Sequence, residues 1–158
     1  MDPYRHVTFC GLYCGLCSSR TRVPKLAREL KSCMAREGYP LWGAYVYPHF
    51  AEFWRALKGF CSADKVCPGC RQEGGPPACG IRKCAQRRGI ITCPLCEEFP
   101  CGKIEMLAEG YHLLIPDGRR LKEISVEKWE KEQRERAKTG FCYVDVRCHP
   151  YTVPEEEE

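Results

Sequence analysis

The sequence predicts an α-rich, irregular small metal-binding domain, an α+β fold with few short strands and a cysteine-rich loop centre ordered by metal. Fourteen of the 158 residues are cysteine, a share typical of disulfide or metal scaffolds. Helical periodicity flanks a Gly/Pro-rich centre that buries too little hydrocarbon to hold itself together. The length fits a single cysteine-rich metal-binding domain over residues 1–150, followed by an acidic disordered tail over 151–158.

The cysteines point to metal or redox chemistry in a reducing compartment. The start "MDPYRHVTF" lacks the pattern of a signal peptide, and no apolar stretch approaches the ~20 residues that cross a bilayer. We therefore expect a cytoplasmic protein, in which clustered thiols bind metal more often than they form structural disulfides. The formal net charge is +4, although the chain ends in four glutamates, so its body is more basic than that. A basic surface of this kind is usually only solubilising.

Two amphipathic helices are predicted before the centre. In "VPKLARELKSCMAREG", Leu26, Leu30 and Cys33 recur at helical spacing, so we expect them on a buried stripe. In "PHFAEFWRALKGF", an aromatic stripe at the same period ends near Gly59 and is expected to pack in the core.

The last third is predicted to hold a helix and two short strands. The helix covers "SVEKWEKEQRERAKTG", with Ser125 as its cap and with Val126 and Trp129 as its docking points. The stretch "LLIPDGRR" is predicted to form a strand and a turn, and "FCYVDVRC" alternates like a strand. Shorter helices are predicted in "GIRKCAQRRG" and "PCGKIEMLAEG".

The spacing of the central cysteines favours metal binding. The opening "FCGLYCGLC" has a C-x3-C-x2-C pattern, and "CPGC" and "CPLC" each carry a C-x2-C turn. Such a turn brings two sulfurs close enough to hold one metal ion, and two turns from distant parts of a chain complete a tetrahedral zinc site. Repetition of the motif makes this interpretation much stronger than a single C-x2-C would.

Two other cysteine chemistries were weighed against zinc. The opening pattern also holds the 4Fe–4S cluster of radical S-adenosylmethionine enzymes, but the chain is too short for their barrel. An iron–sulfur cluster outside that fold stays open, because ligand softness does not separate it from zinc. A redox C-x2-C requires a βαβ setting, whereas "CPGC" lies in a Gly/Pro-rich loop.

The remaining motifs give weaker indications. A nucleic-acid-binding zinc module is a further alternative, since four basic residues lie beside the cysteines, but they lack flanking aromatics for base stacking. These are Arg82, Lys83, Arg87 and Arg88. His6 and His149 stand near cysteines and could supply a fourth ligand, although ordinary partly exposed imidazoles are expected. No catalytic set stands out, so the sequence gives no catalytic residues and enzyme activity is not expected.

Taken together in order, several stretches resemble a known cysteine-rich family of prokaryotes, the domain of unknown function 3795. They are "CGLYCGLC", "LKGFC", "CPGCR", "CGIRKCAQRRGIITCPLCEEFPC" and "LKEISVEKWEKEQ". The resemblance implies a zinc-binding domain without an established activity. The family pattern implies ten metal ligands: Cys10, Cys14, Cys17, Cys67, Cys70, Cys79, Cys84, Cys93, Cys96 and Cys101. Cys142 and Cys148 lie outside this pattern and receive no ligand role, and the role of Cys61 stays open.

The sequence therefore predicts structural zinc at two or more sites, in a binding or adaptor module with a protein partner and no membrane contact. A 4Fe–4S cluster protein for electron transfer or cluster handling is the alternative, and the nucleic-acid module comes after it. We expect the N-terminal triad to share a site with a later cysteine. We expect "CPGC" to pair with cysteines of residues 79–101.

Overall fold

The computed structural model describes residues 4–147, in which eight α-helices are joined by loops and single 3-10 turns. The helices are α1 (Arg22–Arg36), α2 (Tyr39–Val46), α3 (Phe50–Phe60), α4 (Ala63–Val66), α5 (Gly80–Arg88), α6 (Gly102–Ala108), α7 (Leu114–Ile124) and α8 (Val126–Lys138). The 3-10 turns are Cys14–Leu16, Cys70–Gln72, Cys93–Leu95 and Tyr143–Asp145. The predicted tail over 151–158, together with Cys148 and His149, lies outside the described residues. None of the helices in residues 4–147 is long and apolar enough to cross a membrane.

The helix-rich prediction is confirmed, but its strands are not supported. Within residues 4–147, β-pairing is limited to an isolated antiparallel bridge between Val7 and Tyr13. The stretch "LLIPDGRR" lies in α7, and "FCYVDVRC" contains the 3-10 turn Tyr143–Asp145. Pro116 is tolerated because it stands in the first turn of α7, where a main-chain donor has no helical acceptor. Gly118 serves close packing rather than a turn, since a Cβ there would lie 2.5 Å from the Phe99 ring.

Helices α1 to α4 form a helical lobe that packs mainly on itself. α1 contacts α2, α3 and α4, and α3 also contacts α2 and α4. The lobe buries Pro24 and Ala27 of α1 and Phe50 and Leu57 of α3. Its attachment to the rest includes the ion pair between Arg22 and Asp145.

The predicted burial of the α1 stripe is wrong. Leu26 is 59% exposed, Leu30 is 48% exposed, and Cys33 is also exposed. The helix turns a neighbouring flank inward, on which the smaller Pro24 and Ala27 allow a close approach to α3. The most apolar flank of α1 is therefore left without a cover from the described part of the chain.

Two hydrophobic cores hold the remainder of the protein, and the opening segment contributes to both. The first surrounds Trp129 of α8 and comprises Val7, Tyr13, Leu16, Leu121, Val126, Trp129 and Tyr143. The second comprises Phe9, Ala85, Cys93, Ile104 and Leu114. Val126 and Trp129 are buried as predicted. The segment over residues 7–16 is thus wedged between the C-terminal helices and the cysteine-rich centre.

Candidate metal centre

The opening cysteines lie on a tight, internally bonded loop. The main-chain N–H of Cys14 donates to the carbonyl of His6 at 2.8 Å, beside the Val7–Tyr13 bridge. Across the loop, the N–H of Leu12 donates to Thr8 Oγ1 at 2.9 Å, and that oxygen lies 3.1 Å from Cys10 Sγ. Gly11, with φ of +99°, is required at the tip, because a Cβ there would lie 2.7 Å from Pro94. The loop therefore holds Cys10 and Cys14 in fixed positions.

The "CPGC" turn lies directly against this loop. The N–H of Cys70 donates to the Cys14 thiol, and a Cβ on Gly69 would lie 3.9 Å from Cys14 Sγ. Burial raises the pKa of the Cys14 thiol, while the hydrogen bond from the Cys70 N–H acts against this rise and the neighbouring Cys17 thiol adds to it. On the other side of the turn, a Cβ on Gly74 would lie 2.9 Å from Cys67 Sγ. The two C-x2-C pairs, Cys14/Cys17 and Cys67/Cys70, are therefore neighbours.

The "CPLC" turn forms a second neighbourhood on the far side of the loop. The N–H of Cys93 donates to the carbonyl of Phe9 at 2.7 Å, and the buried Thr92 hydroxyl donates to the carbonyl of Thr8 at 2.9 Å. Burial raises the pKa of the Cys93 thiol to about 12, and four nearby thiols contribute to the rise. These are Cys10, Cys84, Cys96 and Cys101. Cys93 is thus the centre of this group.

Cys10 connects the two neighbourhoods. Burial raises the pKa of its thiol to about 11, against the effect of hydrogen bonds from Thr8 and Leu12. The thiols of Cys70 and Cys79 also raise the pKa of Cys10, and Cys10 in turn acts on Cys93. All ten cysteines singled out from the sequence therefore lie in one continuous region around the opening loop.

This region is a neighbourhood of thiols rather than a finished coordination sphere. The thirteen cysteines that the structure describes are free thiols. Between residues 4 and 147, no three Cys, His, Asp or Glu side chains converge as a group that could hold a metal ion. The donor set nevertheless has the chemistry of a zinc or iron–sulfur site, because it consists of sulfur atoms presented by paired C-x2-C turns.

Three described cysteines lie apart from this region. Cys33 is exposed on α1, and Cys61 donates its thiol hydrogen to the carbonyl of Leu57 at 3.3 Å. Cys142 is buried, with its sulfur 3.8 Å from the Thr21 hydroxyl. His6 faces the ring of Tyr13 edge-on, and burial together with Arg20 lowers the pKa of its imidazole.

A buried arginine, Arg82 of α5, holds loops of the cysteine-rich centre by hydrogen bonds. Its side chain is only 7% exposed. The guanidinium donates to four main-chain carbonyls, those of Gly74 (2.8 Å), Pro76 (2.9 Å), Pro77 (3.3 Å) and Cys70 (3.4 Å). Among the residues that the structure describes, its acceptors include no carboxylate. The sequence shows Arg82 only as one of four basic residues beside the cysteines, whereas the structure buries its guanidinium.

Other arginines tie the cysteine loops together in the same manner. Arg71 donates to the carbonyls of Tyr4, Val7 and Ile91 at 2.6–2.9 Å. Its guanidinium also lies 4.6 Å above the centre of the Phe9 ring. Arg20 donates to the Cys67 carbonyl and to Asp64. The signal in the sequence for this role is the position of Arg71 directly after "CPGC".

Arg88 is also engaged within the centre. It donates to Cys96 Sγ at 3.5 Å and to both carboxylate oxygens of Glu98 at 2.9 and 3.0 Å. The hydrogen bonds that it donates to the Glu98 carboxylate raise the pKa of the Arg88 guanidinium, and the Cys96 thiol adds to the effect. Two of the four residues of the predicted basic cluster therefore have partners within the molecule, Arg82 in a buried position and Arg88 in an exposed ion pair.

The cysteines of this centre lie within the part of the chain that matches a known family. A search of curated proteins found no match, and neither did a search of solved structures. The model of the family described as "Protein of unknown function (DUF3795)" matches residues 6–106. The match includes all ten cysteines of the centre and ends before α7 and α8, so the resemblance noted in "LKEISVEKWEKEQ" lies beyond it. The chain belongs to the DUF3795 family.

Proposed function

We propose that the protein is a metal-binding module in which cysteine thiolates hold structural zinc and thereby order the loop-rich centre. The observation that carries this proposal is the burial of Arg82 without a carboxylate partner in the described residues. A buried cation without a counter-charge is costly. Four thiolates around one Zn²⁺ carry a net negative charge, so a loaded centre would compensate the guanidinium beside it.

The arrangement of the thiols supports two sites. The first set pairs two C-x2-C turns: Cys14, Cys17, Cys67 and Cys70. The second set surrounds the "CPLC" turn: Cys84, Cys93, Cys96 and Cys101. Cys10 and Cys79 lie between the sets and could complete either one. This division differs from the expected pairing of "CPGC" with residues 79–101, because the Cys70 N–H donates to the Cys14 thiol.

Such sites fit a structural role. Closed four-sulfur zinc sites leave no open position for a water or a substrate, whereas catalytic zinc keeps one. The metal would supply folding energy, and this chain's own residues would contribute the loops, the hydrogen bonds to sulfur and the compensating arginines. We therefore propose a binding or adaptor module. The basic cluster gives little support for nucleic-acid binding, since Arg82 is buried and Arg88 is paired with Glu98.

The proposal is tested by measuring metal in protein purified without oxygen. We expect two or more zinc ions per chain by mass spectrometry and a colourless solution. Cys70→Ser is expected to lose about one zinc ion, because one thiolate of a four-sulfur site is removed. Cys33→Ser is the matched control, since Cys33 lies exposed on α1, and it should keep the full metal content.

Two results would contradict structural zinc. Iron with matching sulfide and absorption near ~400 nm would replace it with an iron–sulfur cluster on the same thiolates. A wild-type chain without bound metal, or an equal metal loss in Cys70→Ser and Cys33→Ser, would overturn metal binding at this centre.

A further inference from the structure

Helix α2 is apolar on all sides and yet mostly exposed. Its sequence is YPLWGAYV, and Leu41 is 82% exposed while Tyr45 is 89% exposed. Val46 and Tyr47 are exposed beside them. A helix that is apolar all round is normally buried within a larger structure. The described part of the chain provides only α1 and α3 as its neighbours.

The exposed side of α2 is presented by a fixed support. Gly43 packs so closely on α3 that a Cβ there would lie 2.7 Å from the Phe50 ring. Tyr39 and Trp42 have ring centres 4.2 Å apart, and the Trp42 Nε1–H donates to the carbonyl of Glu37 at 3.0 Å. Because these contacts fix its inner side, the orientation of the exposed side of α2 is fixed as well.

The composition around α2 is that of an interface core. Residues 38–51 contain no Asp, Glu, Lys or Arg, and they include five exposed aromatic or large aliphatic side chains. The cores of protein interfaces are likewise depleted in charge and enriched in Tyr, Trp and Phe. Charged residues stand just outside this stretch as two mixed pairs, Arg36 with Glu37 and Glu52 with Arg55.

We propose that this surface pairs two copies of the chain as a two-fold dimer. We define the dimer face as Leu41, Trp42, Tyr45, Val46, Tyr47 and Phe53. With full side-chain areas of roughly 150–250 Å² each, their exposed parts amount to about 800 Å². A standard stable interface buries about 800 Å² on each partner, so the face is large enough for a dimer.

The charges at the edge of the face favour a second copy over a lipid surface. A two-fold axis sets the same patch of both copies against itself, so the mixed pairs that border the face in one copy meet mixed pairs of the other, where each basic group finds an acidic one. An anionic bilayer would instead be matched by Lys and Arg alone beside the apolar side chains. Equal numbers of acidic and basic groups at both ends of residues 38–51 fit the dimer.

The test is the oligomeric state of the full chain, measured by analytical ultracentrifugation at micromolar concentration. Wild type is expected to sediment as a dimer. Leu41→Glu combined with Tyr45→Glu is expected to weaken dimerisation by ~100-fold or more and give a monomer. The reason is that dimerisation of this variant would require two charges to be buried at the centre of the interface. Both residues are mostly exposed, so the variant should keep its helix content by circular dichroism.

Met106→Glu is the matched control, since Met106 of α6 is also apolar and 73% exposed but lies outside the face. It should remain a dimer. A monomeric wild type at ~100 μM, or a dimer that persists in the double variant, overturns the proposal. A monomer that binds vesicles of phosphatidylglycerol also overturns it, and assigns the face to a lipid surface. Metal content does not enter this test, so it stands or falls independently of the zinc sites.

Discussion

The cysteine-rich centre over residues 67–101 and the pair of helices α7 and α8 are held together by different means. The helix pair buries Leu114, Leu121 and Trp129 completely, as an ordinary hydrophobic core does. The centre buries Ala85 and Cys93 in a core, against which Ile81, Ile90 and Phe99 are only partly buried, and its loop carbonyls are bound by arginine side chains. The comparison shows that one chain contains a region that hydrophobic burial alone can stabilise and a region that needs a further stabilising interaction.

The first prediction separates the two regions by removing metal. Chelation under reducing conditions is expected to lower the folding free energy of the centre by about 10 kcal/mol per zinc ion, while α7 and α8 stay protected by the core around Leu121 and Trp129. Hydrogen exchange measured by mass spectrometry should show loss of protection over residues 67–101 and retained protection over 114–138. Equal loss in both regions, or none in the centre, would contradict the distinction.

The second prediction addresses the hydrophobic region. Trp129→Ala removes a fully buried side chain that contacts Tyr13 edge-on, so we expect a loss of about 3–5 kcal/mol in the free energy of unfolding. Urea denaturation measures this loss. Met106→Ala, at an exposed position, should cost less than ~0.5 kcal/mol. If Trp129→Ala also loses zinc in proportion to its loss of stability, the hydrophobic region and the cysteine-rich centre do not fold independently.

The third prediction addresses the arginine support of the centre. Arg82→Met leaves four carbonyls without their donor and removes the compensating charge, so zinc affinity should fall ~10–100-fold. Arg82→Lys should not restore it, because an ammonium group cannot reproduce the planar fork. Competition with a coloured chelator gives the affinities. Arg87→Met, at an exposed position of the same helix, is the control, and an equal effect there would refute a specific role for Arg82.

The fourth prediction, with the smallest expected effect on stability, addresses the ion pair between Arg22 of the helical lobe and Asp145. The Arg22 guanidinium holds the pKa of the Asp145 carboxyl below its usual range, and a hydrogen bond from the Cys142 N–H adds to this. A lowered pKa means that Asp145 stabilises the fold above its unfolded pKa and loses this effect as pH falls through its folded pKa. Wild type should therefore exceed Asp145→Asn in stability at about pH 7, with a gap that narrows as the pH falls below about 4. A constant gap in urea denaturation would contradict the contribution.

The helices with regular apolar spacing could be predicted from the sequence. The pattern of Phe50, Phe53 and Leu57 gave α3, and Val126 with Trp129 gave the docking side of α8. Helix α2 went unpredicted, because a short segment that is apolar on every side has no periodicity to detect. The burial of the α1 stripe was wrong for a related reason. Periodicity identifies the apolar flank of a helix, but it does not say whether that flank packs against another part of the same chain.

The strand predicted at "LLIPDGRR" is not found, because Pro116 and Gly118 do not form the turn that such residues usually indicate. In the structure, one stands in the first turn of α7 and the other allows the Phe99 ring to approach. The ten cysteines could be selected from spacing and resemblance, and the structure brings them into one region. Their division into two sets could not be predicted, since it depends on the contact between Cys14 and Cys70. The role of Arg82 depends on a depth of burial that charge alone does not reveal.

The distribution of tryptophan makes the protein its own optical reporter. Trp129 lies in the core between the opening segment and α8, whereas Trp42 and Trp54 belong to the helical lobe. Indole emission moves to longer wavelength on contact with water, so unfolding of the core would shift the Trp129 signal. Burial of Trp42 between two chains would shift its own signal in the opposite direction. In the Trp54→Phe variant, the two remaining tryptophans would report unfolding and association in the same sample by emission shifts in opposite directions.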